Sequence, residues 1–521
     1  MALQNTHVEE DINTSPPSMH NHSGHLDEAE PNEADLTTES HEEGYRPSDA
    51  KIFAGEPDAG KPDAAQPDAG EPDAAESDAG EVDEHTNDPS PEATSNNINI
   101  IEEEPRLWLT LNSHGLERIY DYNDGGHCPS ELGSTLCQGR YRIIHKLGHG
   151  GFGIVWLCRD LHHESPHYVA IKVLVAALSR EYCGELEAVQ LLKILPEVER
   201  GKKHLCVSMD SFQQESPNGT HHCFVYPFIG PRAVDALACL GNSSAAMRKA
   251  SLDTIEAVAC LHKHGICHGD LTAKNILVDL RDLGDLPEAD LLEKLGQPEI
   301  NPVKTSSTET PASAPQYLVY PVDFSKVDPR FISDRIRLID FGEAFEIKSP
   351  PDSIGLPVVY QPPELVLDGH VGVGCDLWAL GNCLYELRTG QKLIDVFDAN
   401  DTDDYLFYMV MLLGKLPEPW WSSTWKARKE HYTDEVDADA NNRPFQAGDP
   451  AHHRIGDTSI KSQLENALFW NPESRSLDFS KRETPPEELE AFIDLLEKLL
   501  RYKPEDRLSA EEALQHPWFR M

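Results

Sequence analysis

His268-Gly269-Asp270-Leu271-Thr272-Ala273-Lys274-Asn275-Ile276-Leu277-Val278 is the stretch from which the rest of the chain can be read. It sets an Asp and an Asn five residues apart on one loop, and Asp340-Phe341-Gly342 adds a second Asp further along. Together these side chains align a hydroxyl, two hard cations and a nucleoside triphosphate, the arrangement that phosphoryl transfer needs. In this reading Asp270 orients the attacking hydroxyl and finally accepts its proton. Asn275 and Asp340 supply oxygen ligands to Mg²⁺, a cation that requires them. Residues 276–278 and 336–339 read as strands on either side of the loop.

Upstream, Leu147-Gly148-His149-Gly150-Gly151-Phe152-Gly153-Ile154-Val155 places Gly148, Gly150 and Gly153 in a G-x-G-x-x-G spacing. Glycine lets a backbone turn close over phosphates. The motif alone is weak, since dinucleotide folds use it too, but those need a helix at the third glycine and an acidic residue about 20 positions later. Here residues 154–158 continue as strand and lead to Lys172 in Val-Ala170-Ile-Lys172-Val. That order favours a nucleoside triphosphate, with Lys172 on its α and β phosphates and a helix Glu holding the lysine. The helix is carried by GELEAVQLLKIL, with Leu186, Val189, Leu192 and Leu195 on one stripe. Spacing leaves Glu185 and Glu187 both open; Glu187 is preferred because Gln190 and Leu191 stand one turn beyond it on the same face.

These motifs imply an α+β fold with two lobes. A small antiparallel β-sheet lobe spans residues 141–230, and a larger helical lobe spans 231–521. SSAAMRKASLDTIEAVACLHKHG, residues 243–265, reads as a long amphipathic segment that Gly265 ends and that delivers the chain into the catalytic loop. Residues 281–330 read as an irregular insertion with one helical candidate, ADLLEKLG, followed by a Pro, Ser and Thr stretch at 302–315. Residues 105–140 are expected to pack on the small lobe as an extension.

The first hundred residues hold 25 Asp and Glu against 3 Lys and Arg, about half of the net charge of −45. Residues 54–83 repeat AGEPD, AGKPD, AAQPD, AGEPD, AAESD, AGEVD. Proline here blocks a helix, and Ala, Gly and Asp offer little to bury, so residues 1–104 read as a disordered acidic tail. Such a charge repels nucleic acid, and no direct nucleic-acid binding is expected. The longest apolar run, residues 405–413, is far short of the roughly 20 that span a bilayer. Eleven cysteines without a repeated C-x-x-C suit reduced thiols. Cys260, His262, His264, Cys267 and His268 crowd together, but their spacing matches no common zinc site. An intracellular protein of cytoplasm or nucleus is the expectation, without a membrane partner and with its oligomeric state open.

Residues 141–519, with these motifs in this order together with Pro363-Glu364, Asp376 in CDLWALG and Arg507 in KPEDRLSAEEALQHPWF, resemble a eukaryotic protein kinase. YDYNDGGHCPSELGSTLCQGRY at 120–141, VWLC at 155–158, SPNGTHHCFVYPFIG and GLPVVYQPPE are similar to the serine/arginine-rich protein kinases, particularly the divergent filamentous-fungal type. That resemblance implies transfer of the γ-phosphate of ATP, with Mg²⁺, to Ser or Thr of a protein substrate in an arginine/serine-rich context. It implies a nucleotide site of Gly148, His149, Gly150, Gly151, Gly153, Val155, Ala170, Lys172, the helix Glu and Asp340. It places Tyr226 at the back of the adenine pocket, with the carbonyl of Pro227 and the amide of Ile229 on the base. Glu364 and Arg507 are expected to form a buried pair, and Asp376 to cap the catalytic loop. Asp398, Asp401, Asp403 and Asp404 offer carboxylates for a basic substrate.

Three residues depart from that pattern. Gly269 stands where an Arg usually pairs with a phosphorylated activation-segment residue, which argues against that form of switching. Thr272 replaces a Lys and Pro357 replaces a Thr that normally engage each other. Lys274 is the cation left to reach the γ-phosphate. A pseudokinase scaffold and a small-molecule phosphotransferase are the alternatives these departures suggest.

Overall fold

The structure, a computed structural model, describes residues 106–179, 184–239, 243–398, 401–437, 443–447, 458–466, 469–471, 476–478 and 484–521. The acidic repeats lie outside them. Among the described residues no helix is long and apolar enough to cross a membrane.

The chain opens with β1 (Leu107–Leu109) and reaches the short β2 (Thr135–Leu136) before the alternating apolar stretches become β3 (Tyr141–Gly150), β4 (Gly153–Asp160) and β5 (Tyr168–Leu174). After the helix Gly184–Lys193 come β6 (Asp210–Ser216) and β7 (Gly219–Pro227), joined at a turn in SPNGT. The six strands β2 to β7 form one antiparallel sheet in the order β2-β3-β4-β5-β7-β6. Its β-branched and aromatic side chains alternate between faces. One face packs Tyr141, Ile143, Trp156, Val169 and Ile171 against Leu107, Leu116, Ile119 and Tyr122 of the preceding segment. Residues 106–140 therefore share the core of the small lobe.

Helices dominate beyond Gly230. Ser244–Lys263 begins at Ser243, whose side chain accepts from Ala246 N, a cap of the kind expected at a helix start. It packs with Val373–Thr389 and Pro486–Leu499 around a core that includes Ile255, Leu261, Trp378, Leu380, Phe492 and Trp518. Between these helices lie β8 (Ile266–Cys267) and β9 (Ile276–Leu280), the two ends of the catalytic loop.

The insertion is more ordered than its composition suggests. The helix forms at Glu288–Leu295 as expected, but β10 (Ile300–Thr305) and β11 (Tyr317–Val319) appear inside the stretch read as irregular. The reason is tertiary. β10 sits between β1 and β11 in a three-stranded sheet, so its hydrogen bonds go to a segment about 190 residues earlier that local propensity cannot reveal. Leu291, Leu295 and Val322 of the insertion, with Phe331 just beyond it, pack on Ile144, Leu157 and Tyr168 of the small lobe. The chain then runs through β12 (Ile332–Leu338), paired with β9, to Asp340 and on to β13 (Phe345–Glu346), paired with β8.

Candidate active site

Register puts the motifs together. Gly148 faces Val155 across the β3–β4 hairpin, Gly150 faces Gly153, Val155 faces Lys172 on β5, and Ala170 faces Tyr226 on β7. Pro227 ends β7, Ile229 follows it, and Gly230 donates its amide to Val278 O at 2.8 Å. His149 turns its ring toward Gly115 O, 3.2 Å away, so the extension reaches the glycine-rich turn.

Lys172 is the hub. Its Nζ lies 2.8 Å from Asp340 Oδ1 and 2.9 Å from Glu185 Oε2. The expectation that Glu187 holds the lysine is corrected here, because the buried side of the helix Gly184–Lys193 is Glu185, Ala188 and Leu192. The true stripe starts one residue before the leucines used to locate it, which leaves Leu186 half-buried and Glu187 exposed. Tyr226, expected only at the adenine pocket, also donates its hydroxyl to Glu185 Oε1. Burial opposes the charge of Lys172, but Asp340 and Glu185 more than offset it and hold its pKa above the ordinary lysine value. Burial likewise opposes the charge of Asp340, and Lys172 reverses this and lowers its pKa.

Across the cleft, Asp376 from the helix Val373–Thr389 holds the catalytic loop. It accepts from His268 N at 2.7 Å, Gly269 N at 3.0 Å and His262 Nε2 at 2.9 Å. His268 Nε2 donates to Ile339 O at 3.1 Å, and Asp270 N donates to His268 Nδ1 at 3.3 Å, which ties the two motif loops together. Asn275 Nδ2 donates to both Asp270 O and Asp270 Oδ2, each at 2.9 Å. Asp270 Oδ1 is buried without a hydrogen-bond partner among the described residues. An orphaned acceptor in this position fits a substrate hydroxyl. Burial and the nearby Asp340 charge raise Asp270 to about 7, near the pH at which a general base works best.

Asp340 and Asn275 supply oxygen chemistry suited to Mg²⁺, and Lys172 supplies an ammonium suited to phosphate. Asp340 holds a left-handed φ of 62°, a strained conformation of the kind found at functional positions. Thr272 is buried, whereas Lys274 is exposed and makes no ion pair among the described residues. Although its side chain reaches solvent, the protein atoms crowded around its ammonium desolvate it, and with the charges of Lys392 and Arg232 they lower its pKa.

Glu364 and Arg507 form the expected buried pair, Nη1–Oε1 2.5 Å and Nη2–Oε2 2.7 Å, and Arg507 also donates to Gly374 O and Tyr502 O. The expected acidic surface is partly structural. Asp401 caps the helix Thr402–Leu413 through Asp404 N, and Asp403 accepts from Trp425 Nε1 at 2.9 Å. Asp403 also lines a cavity of about 420 Å³ with Val366, Thr402, Trp425 and Glu430.

Residues 141–300 and 326–519 match the family model described as Protein kinase domain. The chain belongs to the protein kinase family. The unmatched residues 301–325 fall within the insertion. This kinase is 28% identical over 408 residues to serine/threonine-protein kinase AFC3 of Arabidopsis thaliana, covering 77% of this chain and 87% of the relative. It is 25% identical over 421 residues to serine/threonine-protein kinase SRPK of Physarum polycephalum, covering 77% and 91%. It is 27% identical over 398 residues to human dual specificity protein kinase CLK2, covering 76% and 66%. Kinases of the AFC, CLK and SRPK types thus stand at similar distances from this chain. The resemblance is to that wider set rather than to the serine/arginine-rich type or its fungal branch alone.

Proposed function

We propose that this kinase transfers the γ-phosphate of ATP to Ser or Thr hydroxyls of protein substrates, with Asp270 as the base. The carrying observation is the assembled network Glu185–Lys172–Asp340 facing Asp270 with its free Oδ1. Lys172 orients the α and β phosphates, Glu185 and Tyr226 fix the lysine, and Gly148, His149, Gly150, Gly151 and Gly153 cover the nucleotide. Val155, Ala170, Tyr226, Pro227 and Ile229 form the adenine side. Asp340 and Asn275 would hold Mg²⁺, which when bound would neutralise charge on the phosphates. Lys274 supplies a further cation beside Asp270 for the transferring group, in place of the lysine lost at Thr272.

An arginine/serine-rich substrate is supported by Asp403 in the cavity beside the helix Thr402–Leu413 and by the similarity to a protein named SRPK. The site lies in a chain of strongly negative charge, which steers basic peptides toward it.

The test is transfer from labelled ATP to a Ser-containing Arg-rich peptide and to a peptide lacking Arg. Wild type is expected to label the first faster, and Asp270→Asn to label neither while still binding nucleotide. Equal transfer by Asp270→Asn would exclude Asp270 as the base, and absence of transfer by wild type at high enzyme would favour a scaffold.

A further inference from the structure

Outside the catalytic cleft, three groups meet in a buried cluster that phosphoryl transfer does not use. The turn Arg200–His204 lies on the helix Ser244–Lys263 so closely that a Cβ on Gly201 would stand 2.0 Å from Glu256 O. This contact brings His204 Nε2 to 3.6 Å from Asp253 Oδ1 and 3.4 Å from Glu256 Oε2. Asp253 and Glu256, three residues apart, share one helix face. All three side chains are more than nine-tenths buried.

Two facts make the cluster unlike an ordinary ion pair. His204 Nδ1 faces Ile336 O at 3.3 Å, and because a carbonyl only accepts, that nitrogen carries the hydrogen. Nε2 then turns toward two carboxylate oxygens at separations longer than an N–H···O bond, which runs about 2.7–3.2 Å. Nε2 and Glu256 Oε2 both lack a hydrogen-bond partner among the described residues. A tetrahedral Zn²⁺ with bonds of about 2.0–2.2 Å spaces its donors about 3.3–3.5 Å apart, close to the separations seen.

We propose that His204 Nε2, Asp253 Oδ1 and Glu256 Oε2 form a binding site for a divalent transition metal, with zinc the first candidate. The surroundings match the outer shell of such a site. The ring donates its other N–H to a backbone carbonyl, and each carboxylate gives its second oxygen to a cation, Asp253 Oδ2 to Lys249 at 2.6 Å and Glu256 Oε1 to Arg200 at 2.7 Å. Lys203, about half exposed and 3.5 Å from Glu256 Oε2, is the one group that must yield that oxygen, and its length lets it swing to solvent. The metal would staple the turn that follows the Glu185 helix to the large lobe. It would also steady Cys206, whose amide bonds Leu338 O at 2.8 Å just before Asp340.

The experiment is calorimetric titration of the chelator-treated full chain with ZnCl₂, in a background of His163→Ala to disable the group that buried Asp160 forms with the exposed His163 and His167. One Zn²⁺ per chain is expected with a rise in melting temperature. His204→Gln and the nearly isosteric Glu256→Gln should each weaken it more than about 10-fold. Zinc should also shift the His204 ring signals in a ¹⁵N-histidine spectrum, a readout that does not depend on the variants folding. Absence of binding, or binding that both folded variants retain, overturns the proposal, as does a metal-free ring with both nitrogens protonated that zinc leaves unmoved.

Discussion

The backbone carbonyl of Glu343 occupies the place where a side chain on Gly269 would have to go: a Cβ built there lies 2.1 Å from that oxygen, and Gly269 sits at φ +78°. The Arg absent from this position is therefore excluded by the local backbone. The carboxylate of Glu343 in turn accepts from Gly355 N at 2.9 Å, and β13 pairs with β8 beside it. The start of the activation segment is ordered by main-chain contacts that require no phosphate. Gly269→Ala should cost more than about 2 kcal/mol, the sum of a left-handed backbone penalty and a displaced carbonyl. Chemical denaturation measures it, and a loss under about 0.5 kcal/mol would contradict the close approach. Phosphatase treatment of the wild type should leave its transfer rate unchanged.

The two glutamates of the helix Gly184–Lys193 separate cleanly in a transfer assay. Glu185 touches Lys172 and Tyr226, whereas Glu187 is on the exposed side. Glu185→Gln is expected to lower kcat/KM by 10-fold or more, about 1.4 kcal/mol per factor of ten, because Lys172 loses one of its two anchors. Glu187→Gln should stay within about twofold of wild type. The opposite ranking would restore the assignment that the leucine pattern suggests.

Asp270 gives a pH dependence with a definite sign. Its pKa in the folded chain is raised to about 7, against about 3.9 for an unperturbed Asp, chiefly by burial. A raised carboxyl contributes stability that is fully present below the unfolded value and lost as pH climbs through the folded one. Between about pH 4 and 7 the folded wild type therefore loses stability relative to Asp270→Asn, and above 7 the gap is constant, on the order of 2–4 kcal/mol. Without nucleotide or Mg²⁺, Asp270→Asn should melt higher than wild type at pH 8 and nearly together with it at pH 4. An equal gap at both values would show that the carboxyl is not perturbed.

What was legible in the sequence is what rests on local chemistry. The meeting of Asp270 with Asn275 and of Lys172 with Asp340, Asp376 as a cap and the Glu364–Arg507 pair follow from residue types whose partners are fixed by the fold. The rotation of the helix Gly184–Lys193 is not legible from its leucines, because half-buried Leu186 and Val189 imitate a core face. The strands of the insertion were invisible because the β1 segment that completes their sheet is separated from them by the whole small lobe. Glu117 and Lys146 were missed for a related reason: two charged residues in sequence signal a surface, and nothing local says that they meet in the core.

That pair carries the last prediction. Lys146 Nζ bonds Glu117 Oε2, Tyr122 Oη donates to Glu117 Oε1 at 2.7 Å, and both charged side chains are almost fully buried. Lys146 leads into the glycine-rich turn, and its carbonyl accepts from Val322 N at 2.9 Å, so extension, turn and insertion converge on one residue. Removing one charge strands the other without water. Glu117→Leu and Lys146→Met should therefore each destabilise by about 3–5 kcal/mol, and the two combined by much less, since a packed apolar pair loses no solvation. A double-mutant cycle by denaturation reads the coupling. The single variants should also raise the KM for ATP, because His149 holds Gly115 O from the same turn. If both singles are as stable as wild type, the pair is not buried as described. If stability falls and the KM for ATP does not change, the extension supports the small lobe without positioning the glycine-rich turn.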